Sequence, residues 1–133
     1  MIHLSVYGLP LLLTFFCCLG LSFVLLLTIQ IFYPKSIRAE VFNDKYFSEF
    51  ELGFMRGVPY GLILTQIIVG ATVFTGFGAG KRFYDYNVQK KMPNLLVALC
   101  YLQVISVVLG ALIGLSFSFS YFFPNSGIFV WDK

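Results

Sequence analysis

The sequence predicts an all-α integral membrane protein: three transmembrane helices, with a short amphipathic interfacial helix between the first two. Two observations carry that reading. Of 133 residues, 59% are hydrophobic and only 11% charged, against roughly a quarter charged in a soluble domain. The charges are also segregated, since residues 1–34, 57–80 and 92–131 contain no Asp, Glu, Lys or Arg. Strands with free edges do not survive in lipid, because their unpaired backbone groups cost several kcal/mol each. Helices are therefore the only open-chain solution.

A bilayer core about 30 Å thick takes roughly 20 apolar residues at 1.5 Å each. The first span, about 10–33, runs from Pro10 to Tyr33-Pro34-Lys35. Proline cannot continue the helix ladder, and a tyrosine at that depth suits the interfacial aromatic belt. The second, about 58–80, opens at Val58-Pro59 and stops at Lys81-Arg82. The third, about 94–123, opens at Pro93-Asn94 and is long enough that it must tilt or protrude. The residues before the first span lack Lys and Arg, and no Ala-x-Ala site follows, so a retained span is expected rather than a cleaved signal peptide.

Three spans put the N-terminus and the basic loop 81–93 on one side, and the loop 37–56 and the C-terminus on the other. Lys81, Arg82, Lys90 and Lys91 then oppose Lys35, Arg38, Lys45, Arg56 and Lys133. A count of four against five decides nothing. The denser basic loop tilts the expectation toward that loop and the N-terminus being cytoplasmic or matrix-facing. Its bases also suit anionic lipid headgroups. In the other loop, Phe42, Tyr46, Phe47, Phe50 and Phe54 share one arc at 100° per residue, while Asp44, Lys45, Ser48, Glu49 and Glu51 lie opposite. That is the pattern of an amphipathic helix at an interface or in a partner's groove, or equally of an aromatic loop packing onto its own helix ends.

Helices in lipid approach each other through small residues and polar bridges. Gly61, Thr65, Thr72, Gly76 and Gly80 form one stripe on the second span, and Gln103, Ser106, Gly110, Gly114 and Ser118 another on the third. These ten are the expected packing interface.

Chemistry is not evident. No carboxylate, His, Lys or Arg lies within a span, where proton and ion pathways usually carry one. Gln30, Gln66 and Gln103 fit interhelical hydrogen bonds. His3 stands alone, which excludes bis-His haem ligation, and Cys17, Cys18 and Cys100 have no CxxC spacing. The run Gly76 to Arg82 fails a Walker A loop, having Thr75 and Arg82 where glycine and Ser/Thr are needed. No catalytic residue, cofactor or metal site is expected, and no nucleic acid or small-molecule substrate.

The expected function is a non-catalytic structural or accessory subunit of a multi-subunit membrane complex, respiratory, energy-transducing or secretory. Its partners would be other integral membrane subunits and lipids, in the inner membrane of a bacterium or organelle. The alternative is a homo-oligomeric channel or carrier lined by the Thr/Gly/Gln/Ser stripes.

Overall fold

The computed structural model describes residues 8–55, 61–77 and 79–122, all helix or turn with no strand among them. The start of the second expected span at Val58-Pro59, and His3, lie outside these residues, as does the Phe54 side chain. The helices are α1 (Gly8–Phe32), α2 (Lys35–Val41), α3 (Glu49–Met55), α4 (Gly61–Val73), α5 (Ala79–Arg82), α6 (Val88–Lys91) and α7 (Asn94–Phe122). Two are long and apolar enough to cross a membrane: α1, and α7 from Asn94 to Phe119. They mark the chain as a candidate membrane protein.

Helix α1 stops where the sequence says it should. Pro34 has no N–H to give, and with φ −60° and ψ 128° it becomes the N-cap of α2, whose first bond runs from Arg38 N to Pro34 O at 3.0 Å. Helix α7 begins likewise after Pro93, with Val97 N donating to Pro93 O at 3.1 Å.

The chain forms two compact units. In the first, residues up to Ser22 lie with residues from Ile105 onward. There α1 and α7 run antiparallel at close quarters. The Ser106 hydroxyl donates to the Cys18 carbonyl at 3.1 Å. A Cβ at Gly110 would sit 3.4 Å from Cys18 Cβ, and one at Gly114 would sit 3.0 Å from the Phe15 ring. Ser106 and Gly110 are buried, Gly114 is half-buried and Ser118 is exposed.

The second unit, Phe23–Val104, holds the principal core. Ile29, Val41, Phe47, Val69, Val88 and Cys100 are buried to 2% exposure or less. Burying each large apolar side chain is worth about 1.5–3 kcal/mol.

Two expectations change here. The second span is not one helix over 58–80. Helix α4 ends at Val73, a turn follows with Phe77 N donating to Phe74 O at 3.2 Å, and α5 is a single turn. Gly76, Gly78 and Gly80 explain the break, since each glycine costs about 1 kcal/mol relative to Ala inside a helix. Gly76 is exposed in that turn with open space around it, so it contributes no helix contact. Gly61, Thr65 and Thr72 are buried.

No single helix runs across 42–54: α2 ends at Val41, residues 42–48 bend and turn, and α3 starts at Glu49. Asn43 ends the first: its amide donates to the Glu40 carbonyl at 2.8 Å and its oxygen accepts from Lys45 N at 3.0 Å. Ser48 starts the second. Its hydroxyl accepts from Glu51 N at 3.3 Å while the Glu51 carboxylate accepts from Ser48 N at 2.9 Å, a reciprocal capping box. The common aromatic face is lost: Tyr46 and Phe47 are buried, Phe42 is half-buried, and Phe50 is 82% exposed.

Candidate functional site

The most elaborate arrangement of polar and aromatic side chains lies in the second unit, where residues 35–55 meet residues 81–91. Among the described residues, all three ion pairs join these two segments. Lys45 pairs with Asp85, Arg82 with Glu51 at 2.6 Å and Lys91 with Glu40 at 3.4 Å. The Tyr46 hydroxyl donates to the other Asp85 oxygen at 2.5 Å.

Aromatic rings fill the space beneath. Tyr46 meets Phe83 edge-on with centroids 5.1 Å apart, and Phe47 packs against both Phe42 and Phe83. The Arg82 guanidinium lies over the Phe47 ring at 4.5 Å and the Lys91 ammonium over Tyr86 at 5.0 Å, cation–π geometry in each case. The ion pairs are exposed and contribute little stability; they set register. The buried rings supply the cohesion. Asn87 steadies the second segment as N-cap of α6, its side chain accepting from Lys90 N at 3.1 Å.

The electrostatics follow these partners. The Lys45 and Tyr46 donors hold the Asp85 carboxyl below its usual range. A hydrogen bond from the Ser48 backbone, and then Arg82, lower Glu51, while Tyr86 and Lys91 lower Glu40. Asp85 raises Lys45, and burial followed by Glu40 pushes the Tyr86 hydroxyl up to about 12.

A cleft of about 250 Å³ opens beside this headpiece, lined by Ala71, Thr75, Phe83, Tyr84, Asp85, Tyr86, Asn87 and Val88. Its charged group, Asp85, is taken up by Lys45 and Tyr46, and the Asn87 oxygen by the α6 backbone. These two groups are thus held by the fold's own contacts. Among the described residues, no three of His, Cys, Asp or Glu converge as metal ligands.

Residues 35–55 and 81–91, expected on opposite faces of a membrane, are in contact with each other. Over its described residues helix α4 is about 20 Å long. Both its ends lie beside the loop-proximal ends of the long helices. A Cβ at Gly61 would stand 2.8 Å from the Gln30 amide nitrogen, two residues before the end of α1. The Thr72 hydroxyl lies 3.4 Å from Met92 Sδ, two residues before the start of α7.

The expected headgroup ligands divide. Lys81 and Lys90 are exposed with no ion pair among the described residues, whereas Arg82 and Lys91 are engaged by Glu51 and Glu40. Lys35 and Arg38, exposed on α2, join the first class. The acids Glu40, Glu51 and Asp85 are the structural partners of Lys91, Arg82 and Lys45. Ser48-x-x-Glu51 was the one local signal available for them.

No protein-family model, curated protein or solved structure matches the chain.

Proposed function

We propose that the protein is a non-catalytic accessory subunit of a multi-subunit membrane complex, anchored by two crossings, α1 and α7, with residues 33–93 as a headpiece on one side. The carrying observation is how little of the long helices the chain covers itself. In their most apolar stretches only 11% of residues on α1 and 28% on α7 are buried. Leu13, Phe16, Phe23 and Val24 on α1, and Leu102, Val108, Leu112 and Leu115 on α7, are among the side chains left outward. Lipid covers part of such a surface, and helices of neighbouring subunits suit the rest.

Two crossings rather than three suit the contacts between residues 35–55 and 81–91, which fit one side of a bilayer. The channel alternative loses its lining in this arrangement. Thr65, Thr72, Gln103 and Ser106 are buried against the chain itself and leave few polar groups to face a pore.

The test is purification of the tagged full-length chain in a mild detergent, with identification of what accompanies it. Stoichiometric recovery of unrelated membrane subunits is the expected result. A discrete assembly of this chain alone that conducts ions or solutes in liposomes would overturn the proposal.

A further inference from the structure

The paired headpiece changes the charge arithmetic that the sequence left balanced. Lys35, Arg38, Lys45, Arg56, Lys81, Arg82, Lys90 and Lys91 all fall between Tyr33 and Pro93, leaving only Lys133 of the nine basic residues elsewhere. With both segments on one side, a count of four against five becomes eight against one. The positive-inside rule counts Lys and Arg within about 15–20 residues of the crossings, which leaves out Arg56 and makes it seven against one, and it gives acids little weight. We infer that the headpiece faces the cytoplasm, or an organelle's matrix, and that Lys35, Arg38, Lys81 and Lys90 bind anionic phospholipid headgroups of that leaflet.

The inference rests on the two crossings proposed above. Three further observations support the lipid contact. First, these four cations are exposed and have no ion pair among the described residues, unlike Lys45, Arg82 and Lys91. The basic residues are thus divided between those that close the headpiece and those left for an external anion.

Second, three of the four are juxtamembrane. Lys35 and Arg38 follow the last residue of α1 by three and six positions, and Lys90 precedes α7 by four. Third, apolar side chains mark the boundary beside them. Ile31 and Phe32 at the end of α1 are 76% and 68% exposed, and Leu95 at the start of α7 is 74% exposed. Exposed Phe77 and Tyr84 flank Lys81 and Arg82 in sequence, aromatic groups suited to headgroup depth. Juxtamembrane basic clusters of this size recognise anionic headgroups by charge, not by a fixed stereochemistry.

The experiment has two arms on the full-length chain. For orientation, single cysteines are placed by Asp44→Cys, Tyr84→Cys or Asn125→Cys in a chain with Cys17, Cys18 and Cys100 replaced by Ala. An impermeant maleimide is then applied to intact cells. Labelling of the third position alone is expected, and labelling of either headpiece position from outside overturns the orientation. Release of the chain from membranes by alkaline extraction would instead sink the crossings themselves.

For lipid, the purified chain is exchanged into nanodiscs containing equal phosphatidylglycerol and phosphatidylcholine, and retained lipid is read by native mass spectrometry. Wild type should retain phosphatidylglycerol preferentially, with about a fivefold loss of preference for each cation removed. The Lys35→Gln/Arg38→Gln/Lys81→Gln/Lys90→Gln variant should lose the preference. The Lys35→Arg/Lys81→Arg/Lys90→Arg variant should keep it. Equal retention of both lipids by wild type, or unchanged preference in the Gln variant, overturns the lipid assignment.

Discussion

The closest approach of α1 to α7 offers a direct chemical test of their pairing. Gly110 faces Cys18, and a Cβ built there would stand 3.4 Å from Cys18 Cβ. Disulfides span Cβ–Cβ distances of about 3.5–4.5 Å. The substitution Gly110→Cys, with Cys17 and Cys100 changed to Ala, therefore puts two thiols within bonding reach after a shift of a few tenths of an ångström. Mild oxidation of membranes should join them within one chain. Trypsin cleavage in the headpiece then gives two fragments that migrate together until reductant is added. The closed loop is about 90 residues, so chain entropy sets a ceiling of about 4–5 kcal/mol on the stabilisation. Oxidised protein should resist denaturation in strong detergent where reduced protein does not. The same substitution on a Cys18→Ala background, or Gly20→Cys facing open space, should give no internal link. Fragments that separate without reductant, or a link only between chains, would refute the antiparallel pairing.

Other outcomes follow from the same contacts. Gly114→Leu drives a branched side chain into the Phe15 ring, already 3.0 Å from a Cβ there, and should cost about 1–3 kcal/mol as overpacking. Leu109→Ala, at an exposed position, should change thermal stability in detergent far less. Ser48→Ala removes the α3 cap and should cost about 1 kcal/mol, seen as faster amide exchange over residues 49–52. Headpiece protection should depend on pH at both extremes. Glu40, Glu51 and Asp85 have lowered pKa values, so their contribution is complete above the ordinary 3.8–4.5 and lost as pH falls through the depressed values. Lys45 is raised above its ordinary 10.5, so its contribution disappears as pH rises through that raised value. Protease resistance should be flat from about pH 5 to 10 and fall on either side; a decline near neutrality would contradict it. Asp85→Asn should loosen the headpiece at neutral pH and remove part of the acid limb.

Charge segregation and proline placement made α1 and α7 legible, because lipid-length apolar runs have few alternative structures. Pro34 and Pro93 located their loop-proximal ends to within a residue or two. Ser106, Gly110 and Gly114 meet α1 at Cys18 and Phe15; small residues mark a close approach without naming the helix that makes it. Gly76 belongs to the same periodic series yet sits in a turn, since periodicity does not say whether a helix continues. The aromatic arc misled for a similar reason. Projection assumes an unbroken helix, and the side-chain hydrogen bonds of Asn43 and Ser48 outcompeted it locally. The headpiece was least legible, because its partners lie 31 to 51 residues apart and opposite charges in distant loops look the same whether they meet or not.

The spacing of the Glu40–Lys91 pair has a consequence for biogenesis. Lys91 emerges from the ribosome 51 residues after Glu40, a delay of several seconds at about 5–20 residues per second. In the later part of that interval α4 has emerged but Val88, Met92 and Leu96 of the same buried cluster have not, so Leu64, Ile68 and Val69 are only partly covered. Shielding of that flank by a chaperone or the insertion machinery is needed only until those residues follow.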